Sequence, residues 1–259
     1  MAELAARSST VTVKPVPTGR STQRLAFPCG NSLLDALPHT DRDELAEDLE
    51  LVTLIAHEHT HVLGTWMEHV DFPVDAMVSV VASFENGDVV EVGAIGREGF
   101  VEVDAVLESY FARRATYCQV AGQVARMPMA RFVDRMETSL PFARLLRDSV
   151  TAALFRTQQF AACNARHTVL QRCARWLLMT ADRVGRDQFS LTHDFLAIML
   201  SVRRAGVSEA ANVLHRRGAI EYQRGVVTIV DAARLAGEAC ECYEACKAAS
   251  ADPRSSVPS

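Results

Sequence analysis

Between Leu191 and Ile229 the chain reads LTHDFLAIMLSVRRAGVSEAANVLHRRGAIEYQRGVVTI, the stretch that most narrows what the chain can fold into. Thr192 or Ser190 can cap a first helix, because a short side-chain oxygen satisfies an open N–H there, and Asp194 suits the positive end of the helix dipole. Phe195, Leu196, Ile198, Met199 and Leu200 give that helix a broad apolar face. Ser201-Val202 then interrupts it. A second helix, from about Arg204 to Arg217, sets Val207, Ala210, Ala211 and Leu214 at spacings of three and four on one face. Arg204, Ser208, Glu209 and Asn212 fall outside that face. Gly218 suits the left-handed residue that ends a helix, and Ile220–Tyr222 and Val226–Ile229 flank a Gln-Arg-Gly turn. Helix, break, helix and hairpin is the order of a winged helix-turn-helix, which lays its second helix in the DNA major groove.

A net charge of −5 argues against a nucleic-acid binder until it is divided along the chain. Residues 1–160 hold 14 Lys/Arg and 22 Asp/Glu, net −8; residues 161–224 hold 10 and 5, net +5; the remainder holds 3 and 5, net −2. The basic charge therefore lies with the two-helix unit. Screening limits reach to about 8–10 Å at ordinary salt, so this local field counts for more than the total. With 259 residues, 49% of them hydrophobic, the chain can bury one large core or two ordinary ones. It shows no signal-peptide h-region and no apolar run of membrane-spanning length, so a cytoplasmic protein without membrane contact is expected. Seven scattered cysteines, an odd number, do not form a disulfide framework and read as small buried hydrophobes.

Residues 1–30 are rich in Ser, Thr and Pro without a period and read as a mobile leader. Leu33, Leu34, Leu37, Leu45 and Leu49, divided by Pro38, predict two short helices. Five apolar or alternating runs follow: LVTLIA, THVLGTW, DFPVDAMVSVVASF, DVVEVGAIG and ATYCQVAGQVARM. Gly64, Pro73, Asn86-Gly87 and Gly122 punctuate them, and Asn86-Gly87 is a strong hairpin signal. Many short strands in succession predict a small antiparallel roll. The period then turns helical. Pro141 can begin a long helix in which Phe142, Leu145, Leu146, Val150, Leu154 and Phe160 recur among small Ala152, Ala153, Ala161 and Ala162. A helix with Val169, Leu170, Trp176, Leu177, Leu178 and Val184 follows, and Asp231 can cap a last one through AARLAGEACECYEAC.

From Leu191-Thr192 to Gly218-Ala219-Ile220 the chain resembles, without a gap, the DNA-binding domain of bacterial Crp/Fnr-type transcription regulators. The upstream strands, with GAIGREGFVEVDAVL as the most recognisable piece, resemble the β-roll that precedes that domain, so the likeness covers about residues 31–246. The resemblance implies an α+β chain: an N-terminal antiparallel β-roll (a cyclic-nucleotide-binding-like jelly roll), a long dimerisation helix and a C-terminal winged helix-turn-helix. The corresponding division is a leader at 1–30, the roll at 31–140, the dimerisation helix at 141–164, the winged helix with its C-terminal helix at 165–246 and a flexible tail at 247–259. It also implies a homodimer on double-stranded DNA with a two-fold operator, RNA polymerase as a further candidate partner, and a small-molecule effector whose identity is open.

Arg203 and Arg204 stand where the second helix begins, and a guanidinium there can fork to guanine O6 and N7. For Arg203, pairing with Glu209 competes with that reading. Well-known family members read bases with Arg, Glu and Arg; the matching positions are Arg204, Ala205 and Glu209, so only the first is kept and the operator cannot be carried over. Ser208, Glu209 and Asn212 complete the reading face, while His193, Arg216, Arg217 and Arg224 are candidates for phosphate contacts. Nucleotide-binding members hold ribose with the Glu of a Gly-Glu pair and phosphate with an Arg about ten residues later. Here Glu102-Val103 and Arg113 match, so the ribose carboxylate is missing unless Glu102 or Glu98 substitutes. Arg113, Arg114 and Thr116 could still cradle an anion, and a surface Arg pair on a degenerate roll competes with that role.

His57, His59 and His61 alternate, so an extended strand would put three imidazoles on one face, as in a metal-dependent cupin-like enzyme. That pattern wants a Glu close behind, and Glu68 lies seven residues beyond His61. Oxygen-sensing relatives ligate an iron–sulfur cluster with N-terminal cysteines, where this chain has only Cys29, so no cluster, metal or other cofactor is expected. For Cys240, Cys242 and Cys246 packing is favoured over redox or metal chemistry. No phosphate-binding Gly loop, nucleophile elbow or metalloprotease motif is present, so no catalytic residue is assigned. The alternatives to an effector-controlled regulator are that cupin-like enzyme and a DNA-binding factor independent of any effector.

Overall fold

The computed structural model describes residues 20–86 and 89–251. Strand β1 (Arg20–Arg24) and helices α1 (Ser32–Asp35) and α2 (His39–Leu45) lead into β2 (Glu50–Leu54), β3 (His59–His61), β4 (His69–Pro73), β5 (Met77–Ser83), β6 (Val89–Ile95), β7 (Ala115–Val120) and β8 (Gly122–Pro128). These pair antiparallel as two four-stranded sheets, β1-β2-β8-β4 and β3-β7-β5-β6. Inward positions such as Val52, Leu54, Val78, Ile95 and Val124 form the core between them. The roll is therefore the expected one, with DFPVDAMVSVVASF divided into two strands. Residues 20–24, counted with the leader in the sequence, belong to the first sheet as β1. The rest of the leader to residue 19, Gly87 of the hairpin signal, and residues 252–259 of the tail lie outside the described residues.

Helix α3 (Met129–Thr138) leads to α4 (Leu140–Arg166), which Ser139 caps by accepting the Phe142 N–H at 3.2 Å, with Pro141 in its first turn. Most of the large apolar side chains of α4 pack within the chain, Leu140 and Leu154 excepted. Phe142 is buried against Phe72 and Phe132, ring centroids 6.3 and 6.0 Å away. Leu146 and Phe160 are buried as well. The stripe left exposed is Arg147, Thr151, Leu154, Gln158, Ala161 and Ala165, alternating in steps of four and three. Of the apolar residues that recur along this helix in the sequence, Phe142 and Leu146 are therefore taken up by the core of the roll and Phe160 by the core it shares with α5, where Arg175 lies over its ring at 4.4 Å.

Helix α5 (Val169–Val184) opens with a capping box, in which Thr168 and Gln171 each satisfy the other's backbone N–H, and Gly185 closes it at φ +68°. Then come β9 (Gln188–Ser190), α6 (His193–Leu200), α7 (Arg204–Arg216), β10 (Ile220–Gln223), β11 (Val226–Ile229), α8 (Ala232–Glu238) and α9 (Cys242–Ala251). The single C-terminal helix expected after Asp231 is two: the backbone turns extended at Ala239, and Cys240 goes into the interior. Residues 247–251, expected in the tail, continue α9, where Ala249 is buried and Ser250 meets Arg156 at 3.0 Å.

The winged helix is packed onto the β5–β6–β7 face of the roll. Met77, Ala94 and Val120 join the same core as Leu177, Leu196, Leu200, Val207 and Leu214. The closest approach is at Gly96, whose chain passes so near α5 that an added Cβ would lie 2.9 Å from the Arg183 Cα. Gly96→Ala should therefore part the two units or strain them. The expected loss is about 1–3 kcal/mol in denaturant unfolding, the usual cost of overpacking; an unchanged midpoint would mean that the contact yields freely.

Candidate nucleic-acid interface

Thr192 accepts the Phe195 N–H at 3.1 Å and so starts α6. Ser201 stops it in the left-handed region at φ 51°, and the Val202 N–H returns to the Ala197 carbonyl at 3.0 Å. This turn aims α7 away from α6. Val207, Ala210, Ala211 and Leu214 are buried, which leaves Arg203, Arg204, Ala205, Glu209, Asn212 and Arg216 exposed along the opposite face. Arg203 at the N-cap offers no side-chain oxygen, so the first N–H groups of α7 stay open, as they must at a helix end that meets phosphate. Beside α7, β10 and β11 join through Arg224-Gly225, both left-handed, at φ 51° and 77°. That two-residue turn fits the twist of the hairpin and holds the exposed Arg224 at the tip of the wing. Strand β9 adds a third strand to the wing through Phe189↔Val227, a feature absent from the sequence reading.

The candidate contact residues separate into braced and free ones. Arg204 lies 3.1 Å from Asp194, and both side chains are exposed, so the pair is weak, about 0–1 kcal/mol, and can open for a better acceptor. His193 is a brace: Nδ1 lies 3.0 Å from the Ser208 hydroxyl, Nε2 is buried, and the ring stacks on Tyr222 at 4.4 Å. Burial, and next the Arg204 charge, lower its pKa, so the ring is neutral at neutral pH. Tyr222 in turn donates to the Leu191 carbonyl at 2.9 Å, which ties the wing to the start of α6. Arg217 is paired with Glu238 and so couples the end of α7 to α8. Among the described residues, Arg203, Arg216 and Arg224 are exposed guanidiniums with no carboxylate in salt-bridge range.

The five residues considered for an effector pocket do not converge. Glu102 and Thr116 meet at 3.3 Å, and His61 approaches Glu102 at 3.1 Å. This belongs to a polar cluster inside the roll, where His61 lies against His69, ring centroids 4.6 Å apart, and Asp71 takes two bonds from Arg126 at 2.7 and 2.8 Å. Burial lowers His69 to about 4 and keeps it neutral, whereas at Asp71 burial works upward but the hydrogen-bonded Arg126 outweighs it and holds the carboxylate ionised. Arg113 and Arg114 are exposed, and Arg114 donates to the Arg113 carbonyl. Glu98 faces away from the others and binds Arg183 of α5 at 2.9 Å. Nor do the three alternating histidines share a face. His57 sits in a turn at φ 71°, a register shift separates His59 from His61, and only His61 is buried. The bulge breaks the period of two on which the metal-strand reading rested.

Residues 171–238 match the Crp-like helix-turn-helix domain family. No curated protein sequence matches the chain. Among solved structures, a Crp-family transcriptional regulator of Thermus thermophilus is 20% identical, over 73% of this chain and 98% of that one, with a TM-score of 0.60. The c-di-GMP-responsive global regulator CLP of Xanthomonas campestris is 15% identical over 74% and 99% of the two chains, TM-score 0.59. FixK2 of Bradyrhizobium japonicum is 14% identical over 74% and 98%, TM-score 0.59. The architecture is thus a β-roll joined through a long helix to a winged helix-turn-helix. Residues 171–238 are similar to a Crp-like helix-turn-helix domain, and the chain as a whole shares the fold of these Crp/Fnr-type structures. Among the described residues no helix is long and apolar enough to cross a membrane.

Where the winged helix meets the roll, Glu91 accepts from Trp176 Nε1 at 3.3 Å and from Ser79 at 2.8 Å. Ser79 also faces the Gln119 side-chain oxygen and has one proton for both acceptors, which a protonated Glu91 resolves by donating. Burial pushes Glu91 up to about 7, against the pull of Ser79, Arg183, Trp176 and Arg175. A carboxyl raised in this way contributes its stability below the unfolded value near 4.5 and loses it as pH climbs through about 7. Relative to wild type, Glu91→Gln should gain thermal midpoint steadily from pH 4.5 to pH 7 and level off above. A difference independent of pH would show that Glu91 is ionised throughout.

Proposed function

We propose that the chain is a sequence-specific DNA-binding transcription regulator acting as a homodimer on a two-fold operator. The observation that carries this reading is the exposed face of α7, with Arg203, Arg204, Glu209, Asn212 and Arg216, set beside the Arg224 wing tip in a Crp-like helix-turn-helix domain. Arg204 takes the role of base reader after exchanging Asp194 for guanine. Arg203, Arg216 and Arg224 take phosphate, and His193, Ser208 and Arg217 position the helix and wing. The regulator is an intracellular, cytoplasmic one, with RNA polymerase as its candidate protein partner. Cyclic nucleotide is a poor effector, because Glu102 already accepts from Thr116 and lies against His61, and Arg113 and Arg114 stand outside that cluster.

Isotherms on single-base operator variants at several salt concentrations distinguish the roles. Arg204→Ala should cost about 1–3 kcal/mol and relax preference at one position per half-site. Arg216→Ala should weaken every sequence alike and flatten the salt slope, since a phosphate contact releases counterions. Cyclic AMP should leave the wild-type isotherms unmoved. Uniform weakening by Arg204→Ala with altered preference in Arg216→Ala would mean a different docking of α7.

Pairing through α4 is supported by its exposed stripe, in which Leu154 and Gln158 lie among the small Thr151, Ala161 and Ala165, which let two helices approach closely. Half-sites should then lie about one helical turn apart. Leu154→Arg should turn a dimer into a monomer in sedimentation at micromolar concentration, with the far-ultraviolet dichroism retained; a dimer that survives it pairs elsewhere.

A further inference from the structure

Four metal-ligating side chains from two places in the sequence meet where α4 ends. Cys163 lies in the last turn of α4 and His167 at its C-cap; Cys240 lies in the connection between α8 and α9, and Cys242 is the first residue of α9. The three thiols are at most 4% exposed. Cys163 Sγ is 3.5 Å from Cys240 Sγ, Cys242 Sγ is 3.6 Å from His167 Nδ1, and all four donor atoms lie within 4.8 Å of one another. A tetrahedral ion with bonds of about 2.3 Å to sulfur and about 2.0–2.1 Å to nitrogen needs donor separations of about 3.5–3.8 Å. Two of the edges already have that length, and all four side chains arrive by short segments that the fold holds in place.

The surroundings point the same way independently. The second nitrogen of His167, Nε2, lies 3.2 Å from the Glu241 carboxylate, the outer partner that commonly fixes the tautomer of a metal-bound imidazole. Gln159 Nε2 donates to Cys242 Sγ at 3.0 Å. Two buried guanidiniums, Arg172 and Arg175, 7% and 4% exposed, flank the thiols, and among the described residues neither has a carboxylate in salt-bridge range. Their Nε atoms are buried without a hydrogen-bond partner. The Leu200 carbonyl meets Arg172, and the Met179 sulfur and Phe160 ring meet Arg175, but with neutral thiols neither cation has a paired anion in the interior, which is costly. Three thiolates and one imidazole on a dication carry a net charge of −1 and supply the missing counter-charge.

The geometry points to a structural zinc site, Cys163, His167, Cys240 and Cys242, that staples the exit of α4 to the α8–α9 junction. Soft thiolates with one imidazole in a closed tetrahedral set select zinc over hard cations, and four protein ligands leave no open position for catalysis. A cage this tight holds one ion and has no room for an iron–sulfur core. The staple lies across the end of α4 and residues 167–168, the connection to α5, and so sets the angle at which α5 leaves the long helix. On folding around zinc, each cysteine gives up its proton to solvent and the ion gives up water; no redox step is involved.

The full chain, purified under reducing conditions, should contain one zinc per protomer by elemental analysis. After removal of zinc, cobalt(II) should restore one equivalent with tetrahedral d–d bands and thiolate-to-metal charge transfer. Cys163→Ser and Cys240→Ser should lose that spectrum, while Cys246→Ser and Cys173→Ser keep it. Glu241→Gln, at an exposed residue that cannot unfold the chain, should weaken zinc by about tenfold, the lower end of the usual outer-partner effect. Chelation should lower the thermal midpoint of wild type and leave that of Cys163→Ser unmoved. The proposal is overturned if wild type binds less than a half-equivalent of zinc or cobalt, if the metal survives Cys240→Ser, or if peptide mapping of freshly isolated protein finds Cys163 and Cys240 joined as a disulfide. Each readout is independent of DNA binding, so the regulator reading stands or falls separately.

Discussion

The ion pair of Glu98 with Arg183 is the point from which the arrangement of the two halves follows. It joins the loop after β6 to the last turn of α5 at 2.9 Å, and both side chains are largely withdrawn from water. Burial works to raise the Glu98 pKa, but the Arg183 and Arg156 charges outweigh it and hold the carboxylate ionised. Removing one partner of such a pair leaves a buried charge alone, typically at a cost of about 3–5 kcal/mol. The pair is usable because neighbouring contacts exclude solvent: Gly96 lets the backbone close over Arg183, whose carbonyl accepts the Arg97 N–H at 3.3 Å. Glu91, a few residues earlier on β6, meets Trp176 on the same helix. One carboxylate is thus kept charged by its guanidinium and the other is driven toward its neutral form.

That docking determines what remains for DNA. Phe195 of α6 packs near Tyr117 and His57, and Met199 takes the Tyr117 hydroxyl hydrogen at 3.4 Å, so the first helix of the pair is committed to the roll. The second helix is committed to α5 only through its small and branched residues. Its polar face and the wing tip are left together on one side. Helix α4 shows the same division, with Phe142 and Phe160 spent on the cores of the two halves and a mixed stripe of Arg147, Leu154, Gln158 and small residues facing out.

Most of the secondary structure, and the identity of the winged helix, could be read from the sequence. The signals were local ones: a Thr192 cap, a Ser201-Val202 break, apolar spacing in α7, Gly218 and a wing turn. Each acts within a few residues, so the linear pattern contains it. Even the split of the charge along the chain could be counted. The strand β9, the break at Ala239 and the bulge at His59–His61 were not legible, because pairing partners and burial of single residues, such as Cys240, decide them.

The candidate sites divide in the same way. The sequence alone determined which helix carries the exposed arginines proposed to face DNA, since a helical face follows from a period of 3.6 residues. Only the tertiary structure decided that His193 and Arg217 are braces, that Glu98 joins the two halves instead of lining a pocket, and that Leu154 rather than Phe142 lies on the open face of α4. The cysteines are the sharpest case. The sequence grouped Cys240, Cys242 and Cys246 because they are neighbours in the chain, although Cys163 and His167 at a spacing of four and the Cys-x-Cys pair were visible. Folding across about 75 residues brings the two pairs together and sends Cys246 toward Arg183 and Glu98 instead. Proximity of that kind arises from packing, and no local rule of the chain encodes it.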